Sequence, residues 1–297
     1  MPLSRRVLLG SAAACSLNGS AAAAAEGTLE SRLMPLIAGH KGKAAVAVKH
    51  LESGESFAYH ADDPMPTASL IKLAVMIEAY RQSAEGKVDL AKMVTLRKED
   101  CVPGSGILTQ LTPGLTVSVR DAVRLMIALS DNTATNLVLD QIGIGSTAET
   151  MEKLGYPNTR IHAKVFRRDT SVAPERSKQF GLGSTTASEM VRLCEALHKK
   201  QLVNPEACDT MLAHLKACDD PFKFPLFLPP GTVVAWKSGS VDNAKTAAGI
   251  IYSPRGPVAL GVLTNENEDK RWTADNAGNR LCADAAKVVY SHFNPHA

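Results

Sequence analysis

Three short clusters in this chain have the side chains needed for covalent acyl transfer. The first is Ser69-Leu70-Ile71-Lys72, the only Ser-x-x-Lys in the sequence. Residues three apart share a helical face, so the lysine amine can lie beside the serine hydroxyl. A serine at a helix start also meets free N–H groups and a dipole that favour developing negative charge. A hydroxyl becomes a useful nucleophile when a neighbouring base takes its proton, and a lysine held neutral can do so. Average Ser and Lys usage gives about one such pair in a chain of this length, so the pair alone decides nothing. The second and third clusters are Ser130-Asp131-Asn132 and Lys237-Ser238-Gly239-Ser240. Each is expected by chance in well under about one such chain in ten.

The surrounding sequence supplies elements to carry these clusters. Apolar residues Leu70, Leu73, Ala74 and Ile77 recur at helical spacing after Pro64 and Pro66, which predicts a buried helix starting near Ser69. The helical run Val119 to Leu129 leads into Ser130, and the β-prone run Thr232 to Trp236 leads into Lys237. Further helical patterns cover Thr133 to Gln141, Thr147 to Leu154, Thr185 to Leu197 and Trp272 to His292. Ala44 to Val48 and Ser56 to Tyr59 flank a Gly-containing turn and predict a β-hairpin. Strand character returns at Ala247 to Tyr252 and Val258 to Leu263. Strands first, helices in the middle and strands last predict an α/β plus all-α fold, an antiparallel sheet flanked by helices with an inserted helical lobe. The α/β lobe is expected from about residues 26–67 and 205–297, and the helical lobe from about 68–204.

With the three clusters in this order, the chain resembles the serine penicillin-recognising hydrolases, specifically the class A β-lactamases. The resemblance runs from the hairpin at Ala44 to the last helix, and Ser238 keeps the hydroxyl of the family's usual threonine. It implies the β-lactamase/transpeptidase-like fold, with the site between the two lobes. It makes Ser69 the nucleophile, Lys72 its base and Ser130 the relay to the leaving nitrogen. Asn132 would bind the substrate's side-chain amide, and Lys237 and Ser238 its carboxylate. Backbone N–H groups of Ser69 and Ser240 would form the oxyanion hole, and Gly239 would join the substrate-binding residues. No cofactor and no metal is implied.

The resemblance breaks in one loop. Thr159-Arg160-Ile161 matches its start, and counting onward puts Val165 where the family carries the glutamate that activates water for ester hydrolysis. Acylation needs Ser69, Lys72 and Ser130, whereas fast deacylation needs a base that reaches water. Two alternatives are open: Asp169, or less favourably Glu175, serves from an altered loop, or the ester is long-lived. The second would resemble the D-alanyl-D-alanine carboxypeptidases and transpeptidases that act on cell-wall peptides. A non-catalytic penicillin-binding sensor is a further alternative. Arg160 reads as a structural ion pair within its loop, Asp169 among Arg167 and Arg168 better suits a surface pair, and His162 reads as a loop residue.

The remaining features bound the function from outside. The 297 residues are 45% hydrophobic with a net charge of +3, which excludes disorder and gives no nucleic-acid footprint. Arg5-Arg6, an apolar stretch and alanines ending at Ala25 predict a twin-arginine-like export signal over residues 1–25. Its removal leaves 272 residues, with 31 basic against 30 acidic side chains. Export makes the expected place of action periplasmic. Cys15 lacks the preceding apolar residue expected of a lipid-attachment site. Cys101, Cys194, Cys208, Cys218 and Cys282 are an odd set whose pairing the sequence leaves open. No other run reaches the roughly 18 apolar residues of a membrane span. No His-Glu-x-x-His or Cys-x-x-Cys occurs, which argues against metal-dependent hydrolysis. Gly104-Ser105-Gly106 reads as a loop bordering the cleft, and the apolar run Pro221 to Pro230 as a loop packed on the core. A monomer and a dimer are equally consistent with the sequence.

Overall fold

The two ends of the chain meet in one antiparallel sheet. In the computed structural model, which describes residues 27–295, the hairpin of β1 (Lys43–His50) and β2 (Ser56–Tyr59) forms where the sequence places it. β1 pairs on its other side with β10 (Gly256–Asn265), followed by β9 (Ala244–Ser253) and, outermost, β8 (Val234–Val241). Alternate residues of β1 enter different cores: Ala45 and Ala47 join one, Val46 and Val48 the other. Burial on both faces is why these strands read as continuous apolar runs rather than strict alternation.

Helices α1 (Leu29–Gly39) and α9 (Ala277–Phe293) cover one face. Asn276 starts α9 by accepting hydrogen bonds from the N–H groups of Gly278 and Asn279. The other face is covered by α7 (Ala187–His198), which packs on β1, β9 and β10 although its residues fall inside the range expected for the helical lobe. Its apolar stripe, Met190, Leu193, Cys194 and Leu197, is buried against the sheet's second core.

The inserted lobe is built around α2 (Lys72–Ala84), which is buried on nearly every side. It is central even though Lys72, Glu78 and Gln82 are among its buried residues, and α3 (Val119–Ala128), α4 (Asn132–Ile142), α5 (Ile144–Lys153) and α8 (Pro205–Leu215) pack around it. α8 and the short α6 (Pro174–Phe180) are additional to the helices the sequence pattern identifies. Small strands tie the lobes: β3 (Met65–Pro66) and β6 (Arg160–Ile161) flank β7 (Gly183–Thr185), and β4 (Met93–Thr95) pairs with β5 (Thr116–Ser118). The expected export signal and Cys15 lie outside the described residues. None of the described helices is long and apolar enough to cross a membrane. The five described cysteines are all unpaired thiols.

Candidate active site

Ser69 sits in a tight 3-10 turn, Ala68–Ile71, that leads into α2 at Lys72. The serine expected to act as nucleophile is therefore on the turn before the α-helix, not within it. Ala68 is held at φ +46°, a left-handed conformation that an L-residue keeps only where its surroundings enforce it. The surroundings here are β8. A methyl group on Gly239 would come within 2.3 Å of the Thr67 carbonyl oxygen and 2.8 Å of the Leu70 nitrogen. Glycine is required because the strand backbone lies directly on the nucleophile turn. Thr246 of β9 donates from Oγ1 to the Thr67 carbonyl at 2.7 Å and fastens the same turn to the sheet. The third cluster lies inside β8 rather than after a strand ending at Trp236. Since β8 is the edge strand, part of its backbone has no strand partner, as an oxyanion hole at Ser240 requires.

The second cluster is the helix start of α4. Asp131 caps it, accepting from the Ala134 N–H at 2.8 Å through Oδ1. Its Oδ2 accepts from the N–H groups of Ile107 and Leu108 at 2.7 and 2.9 Å, so one buried carboxylate holds the wall loop to the helix. Gly106 passes so close that a methyl group there would overlap the Asp131 carboxyl. Ser105 donates to the Ser130 carbonyl at 2.9 Å, and the Asn132 N–H to the Ser105 carbonyl at 3.0 Å. The Gly104-Ser105-Gly106 loop thus borders the cleft as the sequence suggests. Ser130, at φ +53°, is a second left-handed residue of the site.

Lys72 links the clusters. Its fully buried amine donates to the Ser130 carbonyl at 2.7 Å, to Asn132 Oδ1 at 2.9 Å and to Ser130 Oγ at 3.2 Å. Burial pushes its pKa well below the ordinary lysine value; the Lys237 charge adds to this and Asp131 opposes it. Lys237, also buried, is lowered mainly by burial, with Cys218 and Asp220 opposing and Lys223 contributing, and it donates to the Ser238 carbonyl at 2.8 Å. The hydroxyl-bearing residues Ser69, Ser130 and Ser240 are only partly buried. The arrangement is one of buried amines behind reachable hydroxyls. Lys72 makes its hydrogen bonds to Ser130 and Asn132 rather than to Ser69.

The fold brings the three motifs together at one place, and residues 28–293 match the β-lactamase enzyme family. The chain belongs to that family. It is a class A-like serine hydrolase, 26% identical over 307 aligned residues to a β-lactamase of Streptomyces fradiae, across 96% of this chain and 95% of that one. It is 31% identical to β-lactamase ROB-1 of Haemophilus influenzae, across 90% and 85%. A solved β-lactamase from Sphaerobacter thermophilus DSM 20745 superposes with a TM-score of 0.80 at 26% identity, covering 90% of this chain and 99% of that one. PBP-A shares the fold, with a TM-score of 0.78 at 22% identity, covering 90% and 96%.

Within this β-lactamase-family chain, the loop that carries Val165 runs between β6 and β7. It is pinned by the buried His162, whose Nδ1 lies 3.0 Å from the Gly181 carbonyl and Nε2 3.3 Å from Ser184 Oγ. Burial keeps its imidazole pKa low, assisted by Arg176 and Arg160 against the Gly181 carbonyl. Arg160 pairs with Glu152 of α5 at 2.8 Å, outside its own loop. Val165 is buried. Asp169 is not gathered with Ser69, Lys72 or Ser130: its side chain is 66% exposed and pairs with Arg167 at 3.3 Å. Glu175 is likewise exposed and paired with Lys178.

Sequence reasoning misses Asp131 as the hub of the wall and Lys223 as a site-side cation. In the run Pro221 to Pro230, Phe224 packs against Trp236 with ring centroids 5.4 Å apart, as a core-packing loop should. Its neighbour Lys223 turns the other way, donating to Asp220 at 2.8 Å and to Ser240 Oγ at 3.0 Å. A lysine in an otherwise apolar run is the available signal, because its head group must leave the apolar layer that Phe224 enters. Among the described residues no His, Cys, Asp or Glu cluster is built to hold a metal.

Proposed function

We propose that the protein opens β-lactam amides by acyl transfer to Ser69 and discharges the resulting ester slowly. The observation that supports this best is the buried, pKa-lowered amine of Lys72, bonded to Ser130 and Asn132 beside the Ser69 turn. With substrate bound, Ser69 Oγ forms a bond to the lactam carbonyl carbon and its proton passes to neutral Lys72. The N–H groups of Ser69 and Ser240 receive the oxyanion. The C–N bond then breaks, Ser130 protonates the leaving nitrogen, and Lys72 returns a proton to Ser130. Lys237 and Ser238 hold the substrate carboxylate. Discharge is slow because Val165 has no proton-accepting side-chain atom and because Asp169 and Glu175 sit in exposed ion pairs.

That same observation on the loop favours a second reading, a D-alanyl-D-alanine carboxypeptidase or transpeptidase. Its acylation is identical apart from the leaving group, the amine of D-alanine. A point mutant of the fold neighbour PBP-A is described in an acyl-enzyme complex with penicillin G, which fits an ester lasting long enough to be seen. The expected export signal would bring this chain to the wall peptide, outside the inner membrane.

The test follows a chromogenic cephalosporin while recording intact protein mass. Turnover limited by the decay of an accumulating adduct supports the slow lactamase, many turnovers with little adduct overturn the slow discharge, and a permanent adduct of one drug per chain removes the lactamase. Release of D-alanine from a wall peptide then selects the peptidase; a persistent adduct without D-alanine release selects a penicillin-binding sensor.

A further inference from the structure

The loop that carries Val165 also carries an aromatic side chain that the reaction scheme leaves unused. Phe166 is the third residue of a tight turn closed by the Arg167 N–H on the Lys164 carbonyl at 3.1 Å. Its φ is +56°. That turn position favours glycine or asparagine, because a Cβ is crowded in the left-handed region. A phenylalanine there that packed into the core would gain burial in return, but this one is 63% exposed. Its turn is clamped on one side, where Val165 exchanges two main-chain hydrogen bonds with Asn136, and on the other the ring edge lies against Gly104.

Gly104 is the spacer between this ring and the second motif. A methyl group at Gly104 would stand 2.6 Å from Asn132 Nδ2 and 3.3 Å from Phe166 Cε2. These approaches put the ring edge no more than about 6 Å from the Asn132 amide nitrogen. Asn132 has its carbonyl occupied by Lys72 and one N–H by the Pro103 carbonyl at 3.0 Å, which leaves one N–H to offer a ligand. A substrate amide bound by that N–H would project its acyl substituent toward the Phe166 ring.

We infer that Phe166 is a specificity-determining residue, an aromatic wall that selects substrates whose amide carries an aromatic or other apolar acyl group. The inference rests on the acyl-transfer reading and names the substrate subclass for that site. Edge or stacked contact between rings, together with the apolar area covered, distinguishes such a substrate from one with no acyl group.

The test compares acylation of the whole protein by benzylpenicillin and by 6-aminopenicillanic acid, which has the same lactam and carboxylate without the phenylacetyl group. In Phe166→Asn, the ratio of the two second-order acylation constants should fall about fivefold. Phe166→Tyr should keep the wild-type ratio. Asparagine tolerates the left-handed turn, so the melting temperature of Phe166→Asn should match or exceed that of the wild type. An unchanged ratio in Phe166→Asn overturns the aromatic wall while leaving the acyl-transfer reading intact. A melting temperature several degrees lower would make the ring a packing group and also overturn it. Failure of both compounds to acylate the wild-type Ser69 removes the acyl-transfer reading and this inference with it.

Discussion

Asn136 holds Val165 by its main chain alone: the Val165 N–H donates to Asn136 Oδ1 at 2.8 Å, and Asn136 Nδ2 donates to the Val165 carbonyl at 3.0 Å. Asn136 is one helical turn beyond Asn132 on α4, on the same face. Asn132 in turn accepts from Lys72. One helix face therefore sets both the amine and the loop. Because the clamp uses backbone groups, the side chain at 165 can change without loosening it.

Val165→Glu should shorten the lifetime of the acyl-enzyme. A positioned general base contributes roughly 100-fold to 10,000-fold, so even a poorly aimed carboxylate should give at least about 10-fold. Decay of the drug adduct by intact mass measures this. An unchanged decay constant would mean that the side chain at 165 is aimed away from the ester.

Ser69→Ala should eliminate both the covalent adduct and the turnover of a chromogenic cephalosporin, with the melting temperature within a few degrees of wild type. Full activity in that variant would refute the assignment of the nucleophile and every role built on it.

The pH dependence of acylation should show an acid limb set by Lys72. In the proposed reaction its neutral form is the base, and its pKa is lowered by burial and by the Lys237 charge. Acylation should rise with pH through that lowered pKa and then level off. Lys237→Ala removes a neighbouring positive charge, so protonated Lys72 becomes easier to form and the limb should move to higher pH. Lys237→Arg, which keeps the charge, should leave the limb nearer its wild-type place. Rapid-mixing acylation rates across pH distinguish the three curves.

Asp131→Ala should be strongly destabilising. It leaves the N–H groups of Ile107, Leu108 and Ala134 without their buried acceptor, at about 1 to 3 kcal/mol for an unsatisfied buried group. Allowing for relaxation of the loop, about 3 kcal/mol overall is expected by urea denaturation. A variant as stable as wild type would show that the wall loop is held elsewhere.

His214 should make stability sensitive to mild acid. It is buried 2.7 Å from the Tyr80 hydroxyl with Arg124 beside it, and burial, then the arginines, lowers its pKa from 6.5 to about 4. Between those values the unfolded chain takes up a proton that the folded chain refuses, so stability falls as pH drops from 6.5 toward 4 and this contribution then levels off. His214→Gln should flatten that part of the curve of urea midpoint against pH. A curve of unchanged slope would point to the carboxylates instead.

The hairpin, the late strands and most helices are legible in the sequence because each is specified by local periodicity. Asn132, Ser69 and Lys72 are legible as motif members because side-chain type and spacing survive in one dimension. Lys223 is hidden among apolar neighbours, since only the folded loop shows that Phe224 turns to Trp236 while the lysine turns to Ser240. Asp131 looks like the middle of a motif, and its real load, two N–H groups 23 and 24 residues away, is a long-range fact. For the same reason α7 reads as part of the wrong layer: its amphipathic stripe is visible in sequence, but the sheet it covers comes from both ends of the chain.

By itself the sequence determined the inventory: one Ser-x-x-Lys, one Ser-Asp-Asn, one Lys-Ser-Gly-Ser, and a valine at 165 in the loop between them. These are properties of residue type and order, which need no folding to exist. The tertiary structure decided how that inventory is used. It buried Lys72 and Lys237, lowering both amines, and turned Lys72 toward Ser130 and Asn132 rather than Ser69. It also sent Asp169 outward to Arg167 and stood Phe166 beside Gly104. Desolvation, close backbone approach and the direction of a side chain depend on what packs against it from distant parts of the chain.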